Sequence, residues 1–449
     1  MAGVGDVKRT LILIVGLVLV VTGAVMSVTS FWDLGTHQEP VDFELNWVAA
    51  HRLVDREPLY DRAASKQEGL ERVGPSFGFA DGGTFSSFIG SPATALAMVP
   101  FVPFSRGTAA GLFRGTQALL MAAAIVIVGF ALPRRSRVPA WLVGFGVALW
   151  SFPVWQSIGL GQIDGYVMVA VAVAIWASTR DRWRLVGVAL GIAALLKISP
   201  VLLIVYLVLR GRRQVLLPAV ASAVALLAAA AAIGRPADVA TWATDVAPDV
   251  SKGAFLFTNQ SIPAWSARLF GSTTNWQSLD AGIGAWRFLA WVVAGVGIAA
   301  VYLLCRRRSF VPLELGAVLL VALLAGPISW EHYPTWALLS VVLLADVGWW
   351  EHRPWGEIVP LGVVMAFGIL MMRAWTLYPT SLDFVPDTLD RITSGYKTMG
   401  MLAFLAVALW LLARPCAASH DTVPGEGGEV GRRRLSADEQ PTEGVHPHG

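Results

Sequence analysis

Ionisable side chains are scarce in this 449-residue chain, and three places where they interrupt apolar sequence have the makings of a reaction site. The first is Val41-Asp42-Phe43-Glu44-Leu45-Asn46-Trp47, followed by an amphipathic run and then Pro58-Leu59-Tyr60-Asp61. A carboxylate in a membrane-facing cleft suits a general base, because burial lifts its pKa toward the working pH. Asp42 and Glu44 are the candidates, and the competing reading is that Asp42 caps the helix behind it. The second place is Leu196-Lys197-Ile198-Ser199-Pro200. Lys197 is a compact point charge able to hold a phosphate, or else a side chain snorkelling from a helix end. The third is Ser329-Trp330-Glu331-His332-Tyr333-Pro334. Here Glu331 and His332 can orient a hydroxyl or bind a phosphate, and Trp330 can stack on a sugar ring; the alternative is an interface turn with an aromatic anchor. Gln162 and Asp164 in Gly161-Gln162-Ile163-Asp164, and Asn259 and Gln260 in Thr258-Asn259-Gln260-Ser261, can hydrogen-bond sugar hydroxyls or serve as ordinary loop residues.

The elements that must position these groups are membrane helices. The chain is 55% hydrophobic and only 14% charged, with a mean hydropathy of +0.60, against about 25% charged residues in a soluble domain. Several runs of about 18 or more nearly uncharged residues are each long enough to cross ~30 Å of hydrocarbon. The fold class expected is all-α, a polytopic bundle of about eleven or twelve transmembrane helices with helical extracytoplasmic loops. The net charge of +3 comes from short basic clusters between apolar runs, which speaks for membrane orientation and against nucleic-acid binding. Two cysteines, Cys305 and Cys416, make no disulfide framework. There is no local spacing of three metal ligands, so no bound metal and no cofactor are expected. Walker and dinucleotide motifs are absent, which argues against ATP or sugar-nucleotide donors.

Charge sets the expected topology. Basic clusters at 134–137, 180–184, 210–213, 306–308 and 352–353 all fall on the cytoplasmic side by the positive-inside rule. That assignment is self-consistent only if 185–209 enters and returns, as two short helices broken at Lys197–Pro200, where Pro200 removes a backbone donor. The first apolar run, 10–30, reads as an uncleaved span with its N-terminus inside. The segments 31–107, 235–281 and 377–397 then lie outside, together with the loops near 161–164 and 331–334. Residues 1–413 form the membrane domain; 414–449, rich in Gly, Glu, Arg and Pro, reads as a disordered cytoplasmic tail.

Taken in order, these segments resemble the polyprenyl-phosphate-mannose-dependent alpha-(1→2) mannosyltransferase family, part of the C-type integral-membrane glycosyltransferase superfamily of actinobacterial envelope synthesis. The resemblance lies in Asp42-Phe43 through Pro58-Leu59-Tyr60-Asp61, Gly161–Asp164, Gly187 through Pro200, Asn259-Gln260-Ser261 and Ile328 through His332. It covers about residues 10–410. The chain departs from the family at Phe88-Ile89-Gly90-Ser91-Pro92, where an aromatic-Pro-Pro element is common, at Asp164, where Asn is usual, and at Tyr333, where a second His is common.

The resemblance implies an inverting transferase in the plasma membrane with its site on the extracytoplasmic side. The donor is a polyprenyl-phosphate sugar, most simply mannose; the acceptor is an envelope glycan or glycolipid, and membrane lipids are the other partners. Asp42 takes the hydroxyl proton, with Glu44 as its reserve. Lys197 and His332 hold the donor phosphate, while Gln162, Asp164, Asn259, Gln260, Trp330 and Glu331 bind substrate. A polyprenyl-phosphate-arabinofuranose transferase and a lipid-linked sugar flippase or transporter are the alternatives, the latter because broken helices suit transporters as well.

Overall fold

The computed structural model describes residues 4–37, 40–75, 77, 87–271, 284–373 and 388–414. From residue 415 onward the expected tail lies outside the described residues, as do most of 377–397 and parts of the first and second long loops. The described chain is helical throughout. Among the described residues the only strand-like pairing is a single antiparallel bridge between Asn259 and Trp330.

Among the described residues six helices are long and apolar enough to cross a membrane, and the pair Arg134–Trp150 with Phe152–Leu160, bent by 64°, brings the number to seven if counted as one span. The expectation of eleven or twelve is larger because several apolar runs fold into shorter helices, among them Asp164–Ser178, Trp183–Leu196 and Pro312–Ala325. These fall short of the ~20-residue rule but run inside the bundle. Pro312–Ala325 is buried at every position from Leu313 to Ala325, as a helix apolar all round beyond its first turn must be. The long outer helices do the reverse: Leu217 is 78% and Trp291 81% exposed, which suits faces turned to lipid.

Small residues and redirected carbonyls hold the helices together, since lipid gives no hydrophobic drive for helix association. A Cβ at Gly16 would sit 2.8 Å from the Leu142 Cβ, and one at Gly146 would sit 2.5 Å from the Leu19 Cβ. The first helix, Val4–His37, and Arg134–Trp150 therefore pack at backbone distance. The 64° bend has a visible cause. Ser151 is extended (φ −78°, ψ 115°) and Pro153 has no N–H to continue the ladder. The Leu149 carbonyl freed in this way accepts from the Trp155 indole (3.0 Å) and the Ser27 hydroxyl (3.3 Å).

The basic clusters converge on one end of the bundle. Lys8 donates to the carbonyls of Glu351 (2.8 Å) and Arg353. Arg135 pairs with Glu351 at 2.8 Å, and Arg210 with the buried Glu314 at 2.8 Å. Arg308 reaches the Leu412 carbonyl at 2.6 Å, Arg353 that of Arg414, and Arg212 lies over the Trp183 ring at 4.4 Å. Helices that start here, such as Trp183–Leu196 and Pro312–Ala325, deliver Lys197 and the 326–332 turn to the other end; Asp164–Ser178 and Tyr396–Ala413 arrive from it. At 1.5 Å per residue these 14–18-residue helices separate the two ends by ~21–27 Å. The 185–209 run behaves as charge counting required: Trp183–Leu196 ascends, Lys197 turns extended (φ −146°, ψ 128°), and Val201–Leu209 returns to Arg210.

Candidate active site

Every candidate residue lies at the end away from the basic clusters, but they do not form one set. The Val41–Val54 helix begins after Pro40, with no side chain capping it. Asp42 is therefore not a cap. Its Oδ2 accepts from Gln162 Nε2 at 2.6 Å, and its place in the first turn also suits the helix dipole. Glu44 sits two residues on, about 200° round the helix. It is fully buried, and Arg106 Nε donates to it at 2.7 Å. Glu44 thus belongs to a packing contact with the first residue of the Arg106–Gly129 helix and stands apart from the Asp42 group.

Gln162 and Asp164 are delivered by a tight turn. Gly161 ends the Phe152–Leu160 helix in the left-handed region (φ +72°), and the Gln162 N–H bonds the Ser157 carbonyl at 2.9 Å. A Cβ on Gly161 would lie 2.3 Å from the Phe43 Cβ, so glycine is required both for the turn and for the approach of the Asp42–Phe43 backbone. Asp164 opens the next helix, fully buried. Its Oδ2 accepts from the Ser157 hydroxyl (2.7 Å), and its Oδ1 accepts from Lys197 Nζ (2.8 Å) and the Trp336 indole (3.0 Å). With both oxygens taken, Asp164 anchors Lys197 and offers little to a substrate. Lys197 also donates to Gln162 Oε1 at 3.2 Å, and its ammonium lies 3.7 Å from the centre of the Tyr333 ring. Two of its three N–H bonds are thereby spent on hydrogen bonds within the protein, and the ammonium's nearest remaining contact is the Tyr333 ring.

His332 and Tyr333 follow the buried Pro312–Ala325 helix, their rings edge to face at 5.0 Å. His332 is buried, and its Nε2 has no hydrogen-bond partner. Glu331, also buried, accepts from the Tyr396 hydroxyl and from Gln156 Nε2 (3.3 Å). Trp330 is half-buried. Asn259 and Gln260 are fully buried and spend their side chains on the fold. Asn259 Oδ1 accepts from the N–H groups of Ser329 (2.9 Å) and Ser261 (3.2 Å), and Gln260 Nε2 donates to the Phe257 and Ser394 carbonyls. They clasp the 329–332 turn from behind and do not present amides to a ligand.

The electrostatics divide these groups by role. Burial raises the Asp42 carboxyl to about 6, against the opposing pull of the Gln162 hydrogen bond and the Lys197 charge; Asp164 adds to the rise. Burial, then the nearby Lys197 charge, lowers His332 to about 3, with Asp164 opposing. The imidazole is therefore neutral, so that what it can offer the donor phosphate is an N–H and not a charge. A carboxylate that ionises near neutrality, an ammonium one amide away and a neutral imidazole make a set able to take a proton and receive an anionic leaving group.

Ser157 and Trp336 join this constellation, and Gln156 and Tyr396 hold Glu331 beside it, without having been singled out in the sequence. Trp336 and Ser157 sit inside apolar runs, where they read as packing; only a partner on another element reveals them. Among the described residues, no three His, Cys, Asp or Glu side chains are grouped closely enough to hold a metal ion.

With this geometry in view, the comparisons assign the chain. The model of glycosyltransferase family 87 matches residues 88–327, over half of the chain, and the chain belongs to that family. It is 29% identical over 296 residues to a Mycolicibacterium smegmatis protein named polyprenol-phosphate-mannose-dependent alpha-(1-2)-phosphatidylinositol mannoside mannosyltransferase, covering 58% of this chain and 63% of the relative. A Mycobacterium tuberculosis protein of the same name is 27% identical over 311 residues, covering 66% and 67%. A second M. tuberculosis protein, named a pentamannoside mannosyltransferase with the same donor, is 30% identical over 197 residues, covering 42% of each chain. The chain thus spans less than two thirds of the first relative's length. No solved structure matches it significantly. Lys197, Gln162 and Asp164 lie within the family match; Asp42 and His332 lie outside it.

Proposed function

We propose that this chain transfers a mannosyl unit from polyprenyl-phosphate-mannose to a phosphatidylinositol mannoside or similar envelope glycolipid, forming an alpha-(1→2) bond with inversion. The observation that carries the proposal is the Asp42 carboxyl, raised to about 6 and joined through one amide to the Lys197 ammonium. The names of the relatives suggest the donor and the acceptor class.

In the proposed step the acceptor hydroxyl oxygen attacks the anomeric carbon on the face opposite the phosphate. The bond from that carbon to the phosphate oxygen breaks, and its electron pair leaves with the polyprenyl phosphate. The hydroxyl proton passes to Asp42, whose Oδ2 is held by Gln162 so that Oδ1 is left for it; general bases contribute ~10²–10⁴-fold. The sugar passes through an oxocarbenium-like state, as in glycoside hydrolysis. The leaving phosphate draws on the Lys197 N–H that lies over Tyr333 and on a His332 N–H, fixed donors of the kind that supply most of such catalysis. We place the site on the extracytoplasmic face of the plasma membrane, since the basic clusters gather at the opposite end and basic ends stay cytoplasmic.

The test supplies labelled polyprenyl-phosphate-mannose and a phosphatidylinositol mannoside to membranes with and without the chain. The expected product is one mannose larger and sensitive to an alpha-(1→2)-specific mannosidase. Label entering product from a polyprenyl-phosphate-arabinofuranose donor instead, or no product at all, overturns the proposal.

A further inference from the structure

Among the described residues, Gln162 hydrogen-bonds both Asp42 and Lys197. Its Nε2 donates to Asp42 Oδ2 at 2.6 Å while its Oε1 accepts from Lys197 Nζ at 3.2 Å. The amide can sit only this way round, because the flipped form would set its NH2 against an ammonium and its oxygen against a carboxylate. Both ends are braced. Lys197 is fixed by the buried Asp164, itself held by Ser157 and Trp336. The Gln162 backbone is fixed by the Gly161 turn pressed onto Phe43.

We infer that Gln162 is a positioning residue: it aims Asp42 and ties its carboxylate to the braced Lys197, so that base and phosphate-binding cation are held in one register. A sugar-binding amide would turn both its oxygen and its NH2 to hydroxyls, whereas here the oxygen is committed to the ammonium and one of the two N–H donors to the carboxylate. This inference rests on the proposed transfer reaction.

Full-length protein in membranes is assayed for mannosyl transfer across pH as wild type, Gln162→Leu, Gln162→Glu and Asp42→Asn. Gln162→Leu, similar in size, should lower kcat about 10- to 100-fold through loss of a hydrogen bond to a charged group. The KM for acceptor should stay near wild type, and the acidic limb of kcat/KM should move to higher pH. Gln162→Glu keeps the contact to Lys197 but sets a second carboxylate beside Asp42, so its limb should move further in the same direction. Because Glu replaces Gln with almost no change in shape, it carries the test if the Leu variant fails to fold. Limbs unchanged from wild type in the variants that fold overturn the inference. Absence of transfer by the wild type overturns the function itself, a separate result; wild-type transfer that is lost in Asp42→Asn leaves the function standing while Gln162 is judged.

Discussion

Asp42 illustrates how one residue can be read in sequence as to type but not as to work. A carboxylate just past the first apolar run stands out, yet capping and base catalysis both suit that position, and only Pro40 at the cap and Gln162 on the carboxylate separate them. Its raised pKa makes a direct prediction. The group must be ionised to accept a proton, so kcat/KM should fall as pH drops through about 6 and level off above it; a profile flat from pH 5 to 8 would speak against Asp42 as the base. Glu44 could have been set aside from spacing alone, because residues two apart on a helix do not share a face. His332 could not have been read as neutral, since its burial and the nearness of Lys197 are tertiary facts. The same holds for Asp164, whose three partners come from three different elements.

At the level of elements, two turns carry the site. The Lys197–Pro200 break was legible because a charge and a proline interrupt an apolar run, and charge counting demanded a return there. The Gly161 turn was legible only as a loop; its left-handed backbone and its contact with Phe43 emerge from the packing. Gly161→Val should be the more damaging substitution, since it adds both a strained φ and a clash. We expect a stability loss of about 2 kcal/mol or more, seen as a lower melting temperature in detergent, with transfer falling further than folded yield. Unchanged melting would mean that the turn adapts and that glycine is not required. Asn259 and Gln260 mark the limit of motif reading: an Asn-Gln-Ser string looks like a ligand loop, and here the Asn259 amide is consumed by the backbone at Pro327 and Ser329 and the Gln260 amide by the Phe257 and Ser394 carbonyls.

For the molecule as a whole, apolar run length and basic clusters gave the helical class and the two-ended plan, because hydrocarbon thickness and charge orientation act on sequence directly. The number of full-length spans did not follow, since helices such as Pro312–Ala325 are shielded by their neighbours and need not match the bilayer. The plan predicts orientation. With Cys305 and Cys416 replaced by Ser, a membrane-impermeant thiol reagent added to intact cells should label Ala63→Cys, on the exposed Arg62–Arg72 helix, and spare Arg182→Cys. The opposite pattern would put the Asp42 end in the cytoplasm. The claim on which all three scales converge is that a single carboxylate, coupled to a phosphate-binding ammonium, moves a sugar off a lipid carrier. Its most direct measurement is mannosyl transfer from labelled polyprenyl-phosphate-mannose by wild type and Asp42→Asn at matched folded amounts. Transfer by the first and a loss of at least ~10²-fold in the second is the predicted result; equal turnover by both would contradict the account.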